Sequence, residues 1–134
     1  MLPPSLDRDF TIYCLARIGK SRYADRLAAV TDAASAEELV DVFKALGHPM
    51  RVAILGWLKD PASFPPQDQP AEEVGVCLKH IQARAEVSQS TASQYMATLQ
   101  RAGLVTCTRV GQWSHYRRNE DQIARVGRGV TTSI

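Results

Sequence analysis

The stretch from Val76 to Arg118 constrains this chain most, because its hydrophobic spacing switches from a helical to a strand period within a short distance. Val76, Leu78, Ile81 and Ala85 line one side of a short predicted helix. Ser88 stands where the N-cap of a second helix belongs, its hydroxyl free to accept an orphan backbone N–H. Ala92, Met96 and Leu99 then recur at i, i+4 and i+7 as a core-facing stripe, and Gly103 supplies the left-handed residue that ends the helix. Leu104 to Val110 reads as a strand, Gly111-Gln112 as a type II′ turn with glycine first, and Trp113 to Arg118 as the returning strand.

The outer side of the second helix carries Gln89, Ser90, Ser93 and Gln94, all short or amide-bearing and none acidic. Such groups suit base edges and phosphates, and an amide such as that of Gln94 pairs bidentately with adenine N6 and N7. Six Lys/Arg (Lys79, Arg84, Arg101, Arg109, Arg117, Arg118) stand against one acid, Glu86, in Val76–Arg118, a net of +5. The whole chain nets +2, so the remainder nets −3. A basic module on a mildly acidic body is the footprint of a polyanion binder. A basic helix face alone is equally what a solvated surface looks like. The succession of capped polar helix, glycine turn and basic hairpin is what points to a nucleic-acid reader.

These residues also resemble a known family. SQSTASQYMATLQRAGLV and RVGQWSHYR are similar to the recognition helix and wing of the ArsR/SmtB winged helix-turn-helix repressors of bacteria, and FKALGHPMRVAIL to the helix junction before that motif. The resemblance covers about Ser35 to Arg118. It implies a mainly α fold with a small β-hairpin, here with an additional N-terminal helical segment. It further implies a homodimeric repressor on double-stranded DNA, reading an imperfect palindrome with one recognition helix (Ser88–Ala102) in each major groove. On that reading Gln89, Ser90, Ser93 and Gln94 face base edges, while Ser88 and Thr91 hold the helix N-terminus against phosphate. Lys79 and Arg101 grip the backbone. Arg109, Gln112 and Trp113 at the wing tip brace the flanking backbone or minor groove, unless Trp113 merely packs on the wing.

The rest of the chain falls into place around this motif. At 134 residues it is one domain of ordinary size. Its longest apolar run, Val52 to Leu58, is far short of the ~20 residues that cross a bilayer. MLPPSLDRDF lacks a charged-then-apolar leader pattern, so a cytoplasmic protein without a membrane partner is expected. In Leu6–Val30, Phe10, Cys14 and Ile18 keep helical spacing, and Tyr23, Leu27 and Val30 continue it, as core packing or a dimer interface. The resembled family dimerises through helices at both ends of the chain. Here Glu120 to Val126 allows two helical turns and Gly127 to Ile134 has no apolar period, so the N-terminal segment is expected to supply more of the contact. The expected divisions are an N-terminal dimerisation segment over 1–34, the DNA-binding domain over 35–119 and a short C-terminal helix and tail over 120–134.

Ser35-Ala36-Glu37-Glu38 is a capping box opening a helix with apolar Leu39, Val42, Phe43 and Leu46, closed by Gly47. Pro49 suits the first turn of the next helix, which carries Val52, Leu55 and Leu58, with His48 as its N-cap or a packed side chain. Arg51 occupies a basic position of the family junction, where phosphate contact and a surface ion pair compete. Asp60 to Glu73 holds four prolines and four acids and reads as a surface loop, with Phe64 as its one sticky residue: a connector, or a partner-docking segment.

Three cysteines, Cys14, Cys77 and Cys107, without a close pair argue against a disulfide framework. Many relatives in the resembled family sense metals through Cys-x-Cys at the start of the helix before the recognition helix. Counted back from Ser88, Cys77 falls on the first and Lys79 on the second, and an ammonium offers no lone pair. His80 lies where some zinc-sensing relatives have an Asp, so Cys77 and His80, at i, i+3 on one face, with Cys14 from a partner copy make an alternative Cys₂His site lacking a fourth ligand. The family's C-terminal site of Asp, His, His and Glu has no counterpart, since no His follows His115. A three-cysteine arsenic site is weaker still, with Cys107 in the hairpin. No resident metal or cofactor is therefore expected, while an unidentified small-molecule or redox effector stays open through Cys77 at a basic helix start. Paired carboxylates, a nucleophile elbow and a Gly-rich phosphate loop are all missing, so an enzyme is not expected. A protein-binding winged helix would show acidic or bulky apolar groups on the recognition face, unlike Gln89, Ser90, Ser93 and Gln94.

Overall fold

The computed structural model describes residues 33–134. Apart from Ala33 and Ala34, the expected N-terminal segment lies outside the described residues, and so does Cys14. The elements in order are α1 (Ala36–Leu46), α2 (Pro49–Trp57), a 3₁₀ turn (Pro61–Ser63), α3 (Ala71–Val74), β1 (Val76–Cys77), α4 (Leu78–Ala85), α5 (Gln89–Arg101), β2 (Val105–Val110), β3 (Trp113–Arg118) and α6 (Glu120–Ser133). Val42, Ile54, Val76, Ile81, Met96, Leu99, Leu104 and Val105 are fully buried and draw helices and sheet onto one core.

The caps expected from sequence are present. Ser35 Oγ accepts from the Glu38 N–H at 3.2 Å and Glu38 Oε2 from the Ser35 N–H at 2.8 Å, closing the capping box. His48 caps α2, its Nδ1 accepting from the Met50 N–H at 3.1 Å, with Pro49 following. Among the described residues Arg51 forms no ion pair. It donates to the carbonyls of Ala45 and Lys44 and so satisfies the last turn of α1. The turn from α4 to α5 is made by Glu86 in the left-handed region (φ 55), the lone non-glycine with positive φ among the described residues. Gly111 has φ 62 and Gln112 no positive φ, which fits the type II′ turn.

Four expectations are corrected. Val76 and Cys77 do not begin the first helix of the motif. They form an edge strand, Val76 opposite Tyr116 and Cys77 opposite His115, so the hairpin becomes a three-stranded antiparallel sheet in the order β1-β3-β2. A two-residue strand is too short to display a period. It is held instead by Gly75, whose φ of +100 and 2.4 Å approach of a would-be Cβ to the Tyr116 carbonyl oxygen admit no side chain.

The second correction concerns the Pro-rich stretch, whose Phe64 is buried in the core rather than exposed. Gln67 pins the segment to the outer edge of β1. Its Nε2 donates to Gln69 and Gly75 carbonyls, both at 2.8 Å, and its Oε1 accepts from the Cys77 N–H at 3.0 Å. One side-chain amide thus does for β1 what a neighbouring strand residue would.

The third correction is the C-terminus, where the helix runs for 14 residues through Gly127 and Gly129 instead of stopping after two turns. Gly129 is a contact residue, not a breaker: a Cβ there would lie 2.7 Å from the Ala34 carbonyl oxygen. Ala34 N–H donates to the Arg125 carbonyl at 3.0 Å, and Arg125 pairs with Glu38 at 3.3 Å. Ile123 and Val126 pack on the core, so tertiary contact outweighs the low helix propensity of glycine. The argument that a short C-terminus shifts dimerisation to the N-terminal segment therefore loses its premise. Fourth, Phe43 and Val52 do not join the core. They stay 43% and 51% exposed, because α1 and α2 bury Leu39, Val42, Ala45, Ile54 and Leu55 and leave these neighbours on the flank.

Candidate nucleic-acid interface

Ala92, Met96 and Leu99 are buried and fix α5 on the core, which leaves Gln89, Ser90, Ser93 and Gln94 exposed on the opposite side. No acid lies in the first turn of α5. Ser88 Oγ accepts from the Thr91 N–H at 3.2 Å, donates to Thr91 Oγ1 at 2.9 Å and stands 3.1 Å from Ser90 Oγ. The N–H groups of Gln89 and Ser90, in the first turn, have no intrahelical acceptor and give this end of the helix its positive character. Arg101 is exposed in the last turn.

The six cations of the basic module divide. Arg84 is tied to the Pro-rich segment, its guanidinium 4.8 Å from the Trp57 ring centroid and 5.0 Å from that of Phe64, with Nη1 donating to Ser63 Oγ at 3.0 Å. Arg117 donates to the Glu73 carbonyl at 3.0 Å. Arg118 pairs with Glu120 at 2.7 Å and donates to the Leu55 carbonyl at 3.1 Å. These three hold the body together, and Lys79, Arg101 and Arg109 are left as the outward cations. Net charge alone could not make that distinction.

The wing brings Arg109, Gln112 and Trp113, all exposed, to one end of the hairpin. Lys79 Nζ lies 5.4 Å from the centroid of the Trp113 ring, so the first helix of the motif is joined to the wing by a cation–π contact. Tyr95 was not singled out from sequence. It is half-buried on α5, its hydroxyl 3.5 Å from His48 Nε2 and its ring 5.0 Å from the imidazole, which ties α5 to the α1–α2 junction. Its place one turn along from Ala92 on the helix flank is the only signal that could have marked it.

Of the alternative metal ligands, Cys77 is buried on β1 at the N-cap position of α4, without a side-chain capping bond, and His80 follows in the first turn of that helix, while Cys14 lies outside the described residues. Burial, with Lys79 next in weight, holds the His80 pKa below the usual imidazole value. Among the described residues no three His, Cys, Asp or Glu side chains gather in a metal-binding cluster. Burial also raises the Cys107 thiol above its ordinary pKa, against the opposing pull of hydrogen bonds from Tyr116 and Ser114 and the charge of Arg109. A thiol held in its neutral form is poorly nucleophilic. No helix among the described residues is long and apolar enough to cross a membrane.

No protein-family model matches the chain. It is 39% identical over 99 residues to a helix-turn-helix-type transcriptional regulator, YbzH, of Bacillus subtilis (strain 168), covering 72% of this chain and 99% of that protein. Over 46 residues it is 44% identical to the putative arsenical resistance operon repressor ArsR2 of Halobacterium salinarum, covering 34% of this chain and 39% of that one. The solved structure of an ArsR family transcriptional regulator superposes with a TM-score of 0.58 at 16% identity, over 75% of this chain and 91% of the other, a likeness of fold. The capped polar helix, the three-stranded wing and these relatives agree, and the chain belongs to the ArsR-type winged helix-turn-helix transcriptional regulators.

Proposed function

We propose that the protein is a homodimeric DNA-binding repressor that places α5 of each copy in successive major grooves of an imperfect palindrome. Half-site centres then lie about 10 bp, or a small multiple of that, apart. The observation that carries this reading is the outer face of α5. Gln89, Ser90, Ser93 and Gln94 are exposed together, without an acid in the first turn, on a helix fixed from behind by three buried residues. Gln94 is the candidate for bidentate pairing with adenine. Ser88 and Thr91 keep the helix N-terminus against a phosphate, where free amides and the dipole favour an anion. Lys79, Arg101, Arg109, Gln112 and Trp113 reach the flanking backbone.

The partner copy docks along α1 and α6, with residues 1–34 adding to the contact. Val40 and Phe43 support this, since they expose apolar surface on α1 beside the α1–α6 packing, 50% and 43% exposed. A membrane partner plays no part, and the cytoplasm, where the operator lies, is the site of action.

Fluorescence anisotropy on labelled duplexes tests the reading. Affinity for a selected duplex should fall steeply between 50 and 200 mM salt, with a slope set by the phosphates contacted. Light scattering of the free protein should give twice the monomer mass. A monomeric protein whose duplex binding ignores salt would instead favour a winged helix that binds other proteins.

A further inference from the structure

The outward cations at the wing lie on opposite faces of the hairpin. Side chains alternate along a strand, and residues opposite each other in a ladder share a face. Trp113 stands opposite Val110 and Ser114 opposite Arg109, so Arg109 and Trp113 point to different sides. Arg109 shares its side with Cys107 and Tyr116, the second of which is buried in the core. Trp113 shares its side with His115, which stands opposite Cys77 on β1. Lys79 follows Cys77 by two residues and sets its Nζ 5.4 Å from the Trp113 ring centroid, so its ammonium belongs to that second side.

The hairpin from Val105 to Arg118 contains no Asp or Glu, and neither Lys79 nor Arg109 forms an ion pair among the described residues. The tip is slim, since a Cβ on Gly111 would meet nothing within 4 Å. A hairpin laid flat on one DNA strand engages one face and turns the cation of the other to solvent. A minor groove, by contrast, is about 6 Å wide and bordered by a phosphate strand on each side, so a tip pointed into it meets anions on both faces. Resting on the DNA-reading role above, we propose that the wing stands upright in the minor groove as a two-strand clamp. Arg109 binds a phosphate of one strand and Lys79 a phosphate of the other. Trp113 is the positioning residue for Lys79, its half-exposed ring holding the ammonium at the wing.

The test uses the full-length protein on a duplex selected from a random pool, with single phosphates replaced in turn by neutral methylphosphonates along both strands. Wild type should lose affinity about two- to fivefold at one flanking phosphate on each strand, the two facing each other across a minor groove. Lys79→Gln should abolish the loss on one strand only, and Arg109→Gln the loss on the other only. Each should lower the salt slope by about one. Trp113→Leu keeps apolar bulk without an aromatic face, so it should blunt the response on the Lys79 strand and leave that on the Arg109 strand intact. A ring that merely stiffens the hairpin predicts equal weakening on both strands, and that result overturns its positioning role. Lys79 and Arg109 responding on the same strand, or only one of them responding, would mean a hairpin lying flat and overturn the clamp. If phosphates along the recognition helix respond and none beside the wing does, the clamp fails while the DNA-reading role stands. If no duplex is enriched at all, both fail.

Discussion

Replacing Gln67 by alanine removes three hydrogen bonds from one side chain, two of which serve the outer edge of β1. The Cys77 N–H and the Gly75 carbonyl belong to buried residues, so each group left unpaired costs about 1–3 kcal/mol. Gln67 itself is half-buried, and water entering the vacated space recovers part of that loss. The net expectation for Gln67→Ala is about 2–4 kcal/mol, well beyond the ~0.5 kcal/mol of an ordinary surface substitution. Urea unfolding followed by circular dichroism reads this as a lower midpoint with an unchanged slope.

Gln67→Glu sharpens the test. It keeps the acceptor for the Cys77 N–H but sets a carboxylate against two carbonyl oxygens, so at neutral pH it should lose at least as much as alanine. That repulsion raises the folded-state pKa of the introduced carboxyl above its unfolded value. Its deficit should therefore shrink as pH falls through that folded value, where the protonated group donates again. An alanine variant within ~0.5 kcal/mol of wild type, or a glutamate variant as stable as wild type at pH 7, would refute the edge-clamp argument.

Gly129→Ala should destabilise by about 1–3 kcal/mol by forcing α6 off the Ala34 carbonyl, whereas Gly127→Ala, with open space around the new methyl, should be neutral or stabilise by up to ~1 kcal/mol; equal thermal midpoints for the two would contradict the packing account. Gln94→Ala should cost about 1–3 kcal/mol at its cognate base pair and relax preference there, and uniform losses over all duplexes would show that it reads no base. Added zinc or a chelator should leave duplex affinity nearly unchanged in anisotropy titrations, and a shift of about tenfold or more would restore a metal role for Cys77 and His80. Cys107 should alkylate more slowly in the folded protein at pH 8 than in urea, as a thiol with a raised pKa; faster reaction when folded would count against that environment.

Local rules carried the reading far where a side chain acts on its own neighbourhood. Ser35, His48, Ser88 and Gly111 cap or turn the backbone within a few residues, so spacing alone placed them. The misses are all long-range. Gly129 reads as a helix breaker until Ala34 is seen against it. Phe64 reads as a loop residue until the core closes over it, and Val76–Cys77 becomes a strand only because Tyr116 and His115 arrive beside it. For the interface, residue type marked the outer face of α5. It did not reveal that Arg84, Arg117 and Arg118 are engaged in contacts within the body.

Only Asn119 separates β3 from α6, and Arg118 anchors that joint to both the Leu55 carbonyl and Glu120. Strand and helix are therefore braced to each other, and to α2, at one residue. In the proposed dimer α6 lies against the second copy, and that brace would hand a change in the subunit contact on to the hairpin without a residue at its tip being touched.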